Sequence, residues 1–164
     1  MRTGRSFLLI ALAAASACFA AQAPGEYRPS PVIPKPTFPH DAKLSLITGH
    51  LATARVVAAF ACPENDICLD SVWDDTFADM ETQLGPKIAP LAHVRSVHDA
   101  GLARGPVLAY VVKPADDGQL WAIALRIVER NRACFDSWLA DDWPEFAAHS
   151  RTMRSGDQVC FRLN

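Results

Sequence analysis

The stretch from Glu64 to Glu81 carries Glu64, Asp66, Asp70, Asp74, Asp75, Asp79 and Glu81, with no lysine or arginine between Arg55 and Lys87. Carboxylates at this density can hold a hard cation, cleave a glycoside or attract a basic partner. A calcium loop of the EF-hand type needs a fixed ladder of oxygen ligands around a central glycine, and that ladder is absent. Glycoside cleavage needs two acids set at a defined separation across a cleft, which neighbouring acids on one element do not supply. Docking of a cationic partner is the functional reading that survives. Beside it stands plain solvation of acids placed near the positive end of a helix.

Other reactive side chains give little more. The chain has no G-x-S-x-G, H-E-x-x-H, phosphate-binding glycine loop or paired C-x-x-C. His93 and His98 fall on opposite faces of a strand and align poorly on a helix, so they do not read as joint ligands. His40, His50 and His149 are isolated in sequence. The spacing of Cys62 and Cys68 suits neither a thioredoxin-type redox pair nor a zinc knuckle. Trp73 and Trp138 sit at helical core spacing, so packing is the better reading for them than an exposed binding platform. No catalytic residue, cofactor site or metal site is assigned.

Position along the chain says more about compartment. Arg2 and Arg5 precede an apolar run from Phe7 to Ala17, and small residues follow, which is the layout of an export signal. Ala15-Ser16-Ala17-Cys18 resembles the lipobox of bacterial envelope lipoproteins, departing from it in having Ala15 where a larger aliphatic residue is usual. The resemblance is confined to the leader and implies that Cys18 is the lipidation site. Cleavage after Ala20, giving a soluble periplasmic or secreted protein, is the alternative. Loss of the leader leaves 14 basic against 18 acidic residues, about −4 in place of −2. A mildly acidic chain is a poor partner for nucleic acid, whose binding is driven by lysine and arginine.

Either route leaves Cys62, Cys68, Cys134 and Cys160, enough for two disulfides with three possible connectivities. Pairing nearest neighbours predicts Cys62–Cys68 and Cys134–Cys160, although the crossed pairings are open on sequence alone.

These side chains must be carried by a fold. Residues 1–17 read as the signal peptide and 18–42 as a tether, dense in proline (Pro24, Pro29, Pro31, Pro34, Pro36, Pro39) and therefore extended. Residues 43–164 read as a single disulfide-stabilised globular domain. Its first element, 46–61, favours a strand with Gly49 as a bend, a helix being the runner-up. The segment 71–84 predicts a helix: Val72, Trp73, Thr76, Phe77, Met80 and Leu84 share one side, Ser71 and Asp74 can cap it, and Gly85-Pro86 stops it. Asp74, Asp75 and Glu81 would then project together, with Asp79 at their margin, as the partner-binding face.

Strands are expected at 88–98, 106–113 and 119–130, the last two joined by a turn at Asp117-Gly118. Phe135, Trp138 and Leu139 match a helical turn, and Asp142 with Glu145 can form a capping box around Pro144 for a helix to Met153. A short final strand, "QVCFRL", follows Gly156. The order implies an α+β domain with a mainly antiparallel five-stranded sheet and two short helices, of a size that often curls into an OB-like barrel. The expected role is that of a non-catalytic, periplasm-facing envelope lipoprotein that binds a protein or cell-wall partner of basic character, in the manner of an inhibitor or immunity protein. A small envelope hydrolase with catalytic residues scattered in sequence is the alternative.

Overall fold

The computed structural model describes residues 32–60, 71–90, 92–98 and 105–163. Cys18, Cys62 and Cys68, and the acids Glu64, Asp66 and Asp70, lie outside the described residues. The elements are β1 (Val32–Ile33), β2 (Ser45–Phe60), β3 (Ser71–Leu84), β4 (His93–His98), β5 (Val107–Pro114), β6 (Leu120–Ile127), β7 (Arg132–Asp136), α1 (Trp138–Asp142), α2 (Pro144–Ala148), β8 (Thr152–Ser155) and β9 (Gln158–Arg162).

Five strands close into a barrel. Their order is β2-β3-β4-β6-β5, and β5 returns to pair with β2. Every pairing in the ring is antiparallel except β4 with β6, which is parallel. This is the α+β, OB-like architecture expected from the strand count. Closure depends on the length of β2, which pairs with β3 along most of its course while Ser45–His50 also pairs with β5. Such a strand must bend, and it does so at several register shifts, one of them flanking Gly49. A Cβ at Gly49 would lie 3.0 Å from the Ala78 carbonyl oxygen and 3.1 Å from Phe77.

Alternation then sorts the side chains. Ile47, Leu51, Phe77, Val94, Leu108, Tyr110 and Val112 fill the barrel. On the outside of β5, Ala109 and Val111 join Leu46 in a second core with Phe135, Leu139, Trp143, Phe146, Val159 and Phe161. β5 is therefore apolar on both faces because both are covered. The second core belongs to the C-terminal unit, a three-stranded sheet of order β7-β9-β8 that carries α1 and α2 between β7 and β8. Phe146 stacks on both Trp143 and Phe161 at its centre. Truncating so buried an aromatic ring costs about 3–5 kcal/mol.

A third cluster, Ala58, Val72, Ala115 and Trp121, is covered by Ile33 and Phe38. The described part of the proline-rich segment thus lies against the barrel, with β1 pairing in parallel with the end of β2.

Several expectations need correction. The segment 71–84 is a strand, not a helix. Val72 is buried outside the barrel under Ile33 and Phe38, while Phe77 is buried inside it. With apolar residues needed on both faces, adjacent pairs such as Val72-Trp73 and Thr76-Phe77 imitate helical spacing. The helix expected from Asp142 to Met153 is a single turn, Pro144–Ala148, opened by Pro144 without a side-chain cap, and Met153 lies in β8; the helical turn expected at Trp138 and Leu139 is α1. Phe135 lies in β7 rather than in a helical turn. β7 and β8 were not anticipated, and β4 begins only at His93. Trp138, expected in the core, is 40% exposed.

Candidate functional site

Strand geometry disperses the acids that a helix would have gathered. Asp75 points into the barrel and is fully buried, which removes it from any docking surface. Asp74 points outward and lies 3.6 Å from both Arg55 and His93. Asp79 takes a positive φ of 53°, where the strand kinks, and pairs with His50 Nδ1 at 2.9 Å. Glu81 is exposed and accepts a hydrogen bond from Gln83. The four do not form one acidic face: Asp75 turns inward while its neighbour Asp74 points out, and Asp79 and Glu81 follow only after the irregularity in β3 marked by the positive φ of Asp79.

Asp75 instead anchors a polar cluster inside the barrel. Ser96 Oγ donates to its Oδ2 at 2.5 Å, and Tyr110 OH donates to the same oxygen at 2.7 Å. The three come from β3, β4 and β5, so only a closed barrel brings them together. Burial pushes the Tyr110 phenol far above its ordinary value, and the neighbouring Asp75 carboxylate raises it further. Asp75 Oδ1 is buried with no hydrogen-bond partner among the described residues. A carboxylate in a low-dielectric interior needs such donors to offset its desolvation.

Ser96 also reaches a crevice. β4 and β6 pair only at Val94–Leu120 and Arg95–Trp121. Beyond that, a space of about 270 Å³ opens between them, lined by Ser96, Val97 and His98 on one side and Ala122 to Arg126 on the other. His98 stacks on Trp73 and accepts the Trp73 indole N–H at its carbonyl. His93, on the opposite face of β4, contacts Thr76 and Asp74 instead. The two histidines therefore do face apart, as their spacing implies. Among the described residues no group of three metal-ligating side chains converges.

A wider concavity of about 730 Å³ lies elsewhere, on the outer face of the C-terminal sheet and the end of β6. Cys134 and Cys160 face each other across β7 and β9 and are joined by a disulfide, which forms part of its floor. In the chain-entropy model a loop of this length is worth about 3.5 kcal/mol. Leu125 and the half-exposed Ile127 add apolar surface, while Arg126, Arg130 and Arg132 line the rim with Glu129. Arg126 holds Asp136 at 2.8 Å. Ser155 and Gln158 close the far end.

Sequence reasoning missed this groove. The arginines stand close together after residue 125, and the cysteines of β7 and β9 point to the floor between them. What hid it was the turn at Arg130-Asn131, where both residues have positive φ (49° and 59°). This is the two-residue hairpin geometry usually marked by Asn-Gly or Asp-Gly, and an arginine in its first position disguises it.

No protein-family model, curated protein or solved structure matches this chain. An OB-like barrel hosts many functions, so the fold does not choose among them.

Proposed function

We propose that this protein is a non-catalytic accessory of the cell envelope, a lipoprotein anchored through Cys18 and facing the periplasm. Its globular part binds an envelope protein or a cell-wall component. The observation that carries the reading is the open groove on the cystine-bearing sheet, which combines apolar floor, charged rim and neutral polar end in one concavity. That mixture suits recognition, where a few placed polar groups orient a ligand over apolar surface. The anchor rests on the lipobox-like leader alone. The partner's charge is argued from the groove, because Asp74, Asp75, Asp79 and Glu81 no longer offer a common surface to a basic protein.

Blocking the groove tests the reading. Gln158 is an exposed, outward-facing residue of β9, so Gln158→Trp fills the concavity without touching either core. Wild-type protein purified from membranes at low salt should carry a partner that the Gln158→Trp variant has lost. Equal recovery from both, or nothing recovered with either, contradicts the proposal.

The hydrolase reading has one observation in its favour, the Ser96 hydroxyl held by a buried carboxylate at the edge of a crevice. Ser96 donates its proton to Asp75, as a packed structural hydroxyl does. Covalent labelling of Ser96 by a fluorophosphonate would favour the hydrolase; an unlabelled Ser96 accords with the binding role.

A further inference from the structure

We propose that the groove takes an acidic, partly apolar segment of a partner protein, held by Arg132 and Arg162 with Arg130 at its mouth. This rests on the binding-domain reading above and names the chemistry of the ligand. Arg132 and Arg162 are directly opposed in β7 and β9, so their side chains leave the same face of the sheet. Like charges placed directly across a strand pair repel one another. Neither guanidinium meets a carboxylate among the described residues; Arg132 reaches only the Met153 sulfur, at 4.0 Å. Their repulsion is relieved by an anion lying between them.

Arg130 adds an independent argument. It occupies the first position of the hairpin turn at φ 49°, where glycine, asparagine or aspartate fits without strain. A third guanidinium stands at the groove where turn geometry disfavours it. Three arginines and one carboxylate, Glu129, line the groove, Arg162 stands directly across from Arg132, and Arg126 is already paired with Asp136. The groove is therefore cationic on a chain whose net charge is −2.

The floor decides the class of anion. Met153 lies opposite Cys160, so thioether and cystine form an apolar row beside the arginine row, and Ile127 is half exposed next to it. A free phosphate would use the guanidinium groups and leave this surface wet. A bilayer, being flat, would touch the rim and leave the concavity empty. An extended peptide with carboxylates on one side and an aliphatic side chain on the other meets both rows, since arginine forks donate to carboxylates in two-point contact.

Binding of synthetic probes to the mature full-length protein tests this. The probes are a fluorescent peptide alternating Glu and Leu, its Gln-for-Glu counterpart, inorganic phosphate and phosphatidylglycerol vesicles. The acidic peptide should bind with an affinity that falls steeply with salt and drops at least about tenfold in the Arg132→Gln, Arg162→Gln variant. Arg55→Gln, on the barrel wall, should bind as wild type, and no variant should melt below wild type, because these side chains are exposed and loss of both opposed arginines removes their mutual repulsion. Equal binding of the Gln peptide, retention by the double arginine variant, or no binding at low salt overturns the proposal. Tighter binding of vesicles than of peptide also overturns it, assigning the arginines to a membrane. A partner lost on Gln158→Trp but kept by the double arginine variant rejects the acidic segment while leaving the binding domain standing.

Discussion

Asp75 is the residue on which the barrel interior turns, since Ser96 and Tyr110 both spend their hydrogen bonds on one of its oxygens. Removing either donor leaves a buried charge less satisfied, so Ser96→Ala and Tyr110→Phe should each lower stability by about 1.5–3 kcal/mol in urea unfolding. The Tyr110 phenol is raised, chiefly by burial, which also fixes a pH effect. Below about pH 10 folded and unfolded chains both keep this proton; above it the unfolded chain releases a proton that the folded one retains. Stability should therefore fall as pH rises past that point, and Tyr110→Phe should flatten the fall. An alkaline limb identical in the two proteins would show that Tyr110 is not shielded as described. None of this was readable from the chain, because Asp75, Ser96 and Tyr110 sit on three strands, and an aspartate in an acidic run looks solvated until its neighbours are known.

At the scale of elements, Gly85 shows how a correct signal can serve a wrong element. Gly85-Pro86 marks an end, and an end is there, but of β3 rather than of a helix. Its φ is 84°, and a Cβ would stand 2.2 Å from the Leu44 carbonyl oxygen. Gly85→Ala should cost at least about 2 kcal/mol, from the left-handed backbone and from the clash with rigid main chain. A thermal melt within a degree of wild type would contradict that geometry. The hairpin of β5 and β6 was legible because Gly118, at φ 80°, sits where Asp-Gly predicts a turn. β2 and β9 were legible from their β-branched and aromatic residues. β3 was not, because burial on both faces at Val72 erased the alternation that identifies a strand. β7 was not, because Arg130-Asn131 lacks the glycine that usually announces its turn.

Across the whole molecule, two cores share β5, so the barrel and the C-terminal sheet pack as neighbours on opposite faces of one strand. The described N-terminal segment adds Ile33 and Phe38 to the barrel wall, and Lys113 lies over the Phe38 ring. The groove opens on the outer face of the C-terminal sheet, the side away from the shared core, where a partner can reach it without disturbing either core. Its arginines were visible as letters, yet their convergence depends on the pairing of β7 with β9, which one sequence does not disclose. Site-specific photo-crosslinking in living cells tests the binding account most directly. A photoreactive residue at Ile127, half exposed at the groove, is compared with one at Val56, equally exposed on the barrel wall. A discrete adduct is expected from Ile127 that Gln158→Trp abolishes, and none from Val56. Equal adducts from both positions, or an Ile127 adduct that survives groove filling, would contradict it.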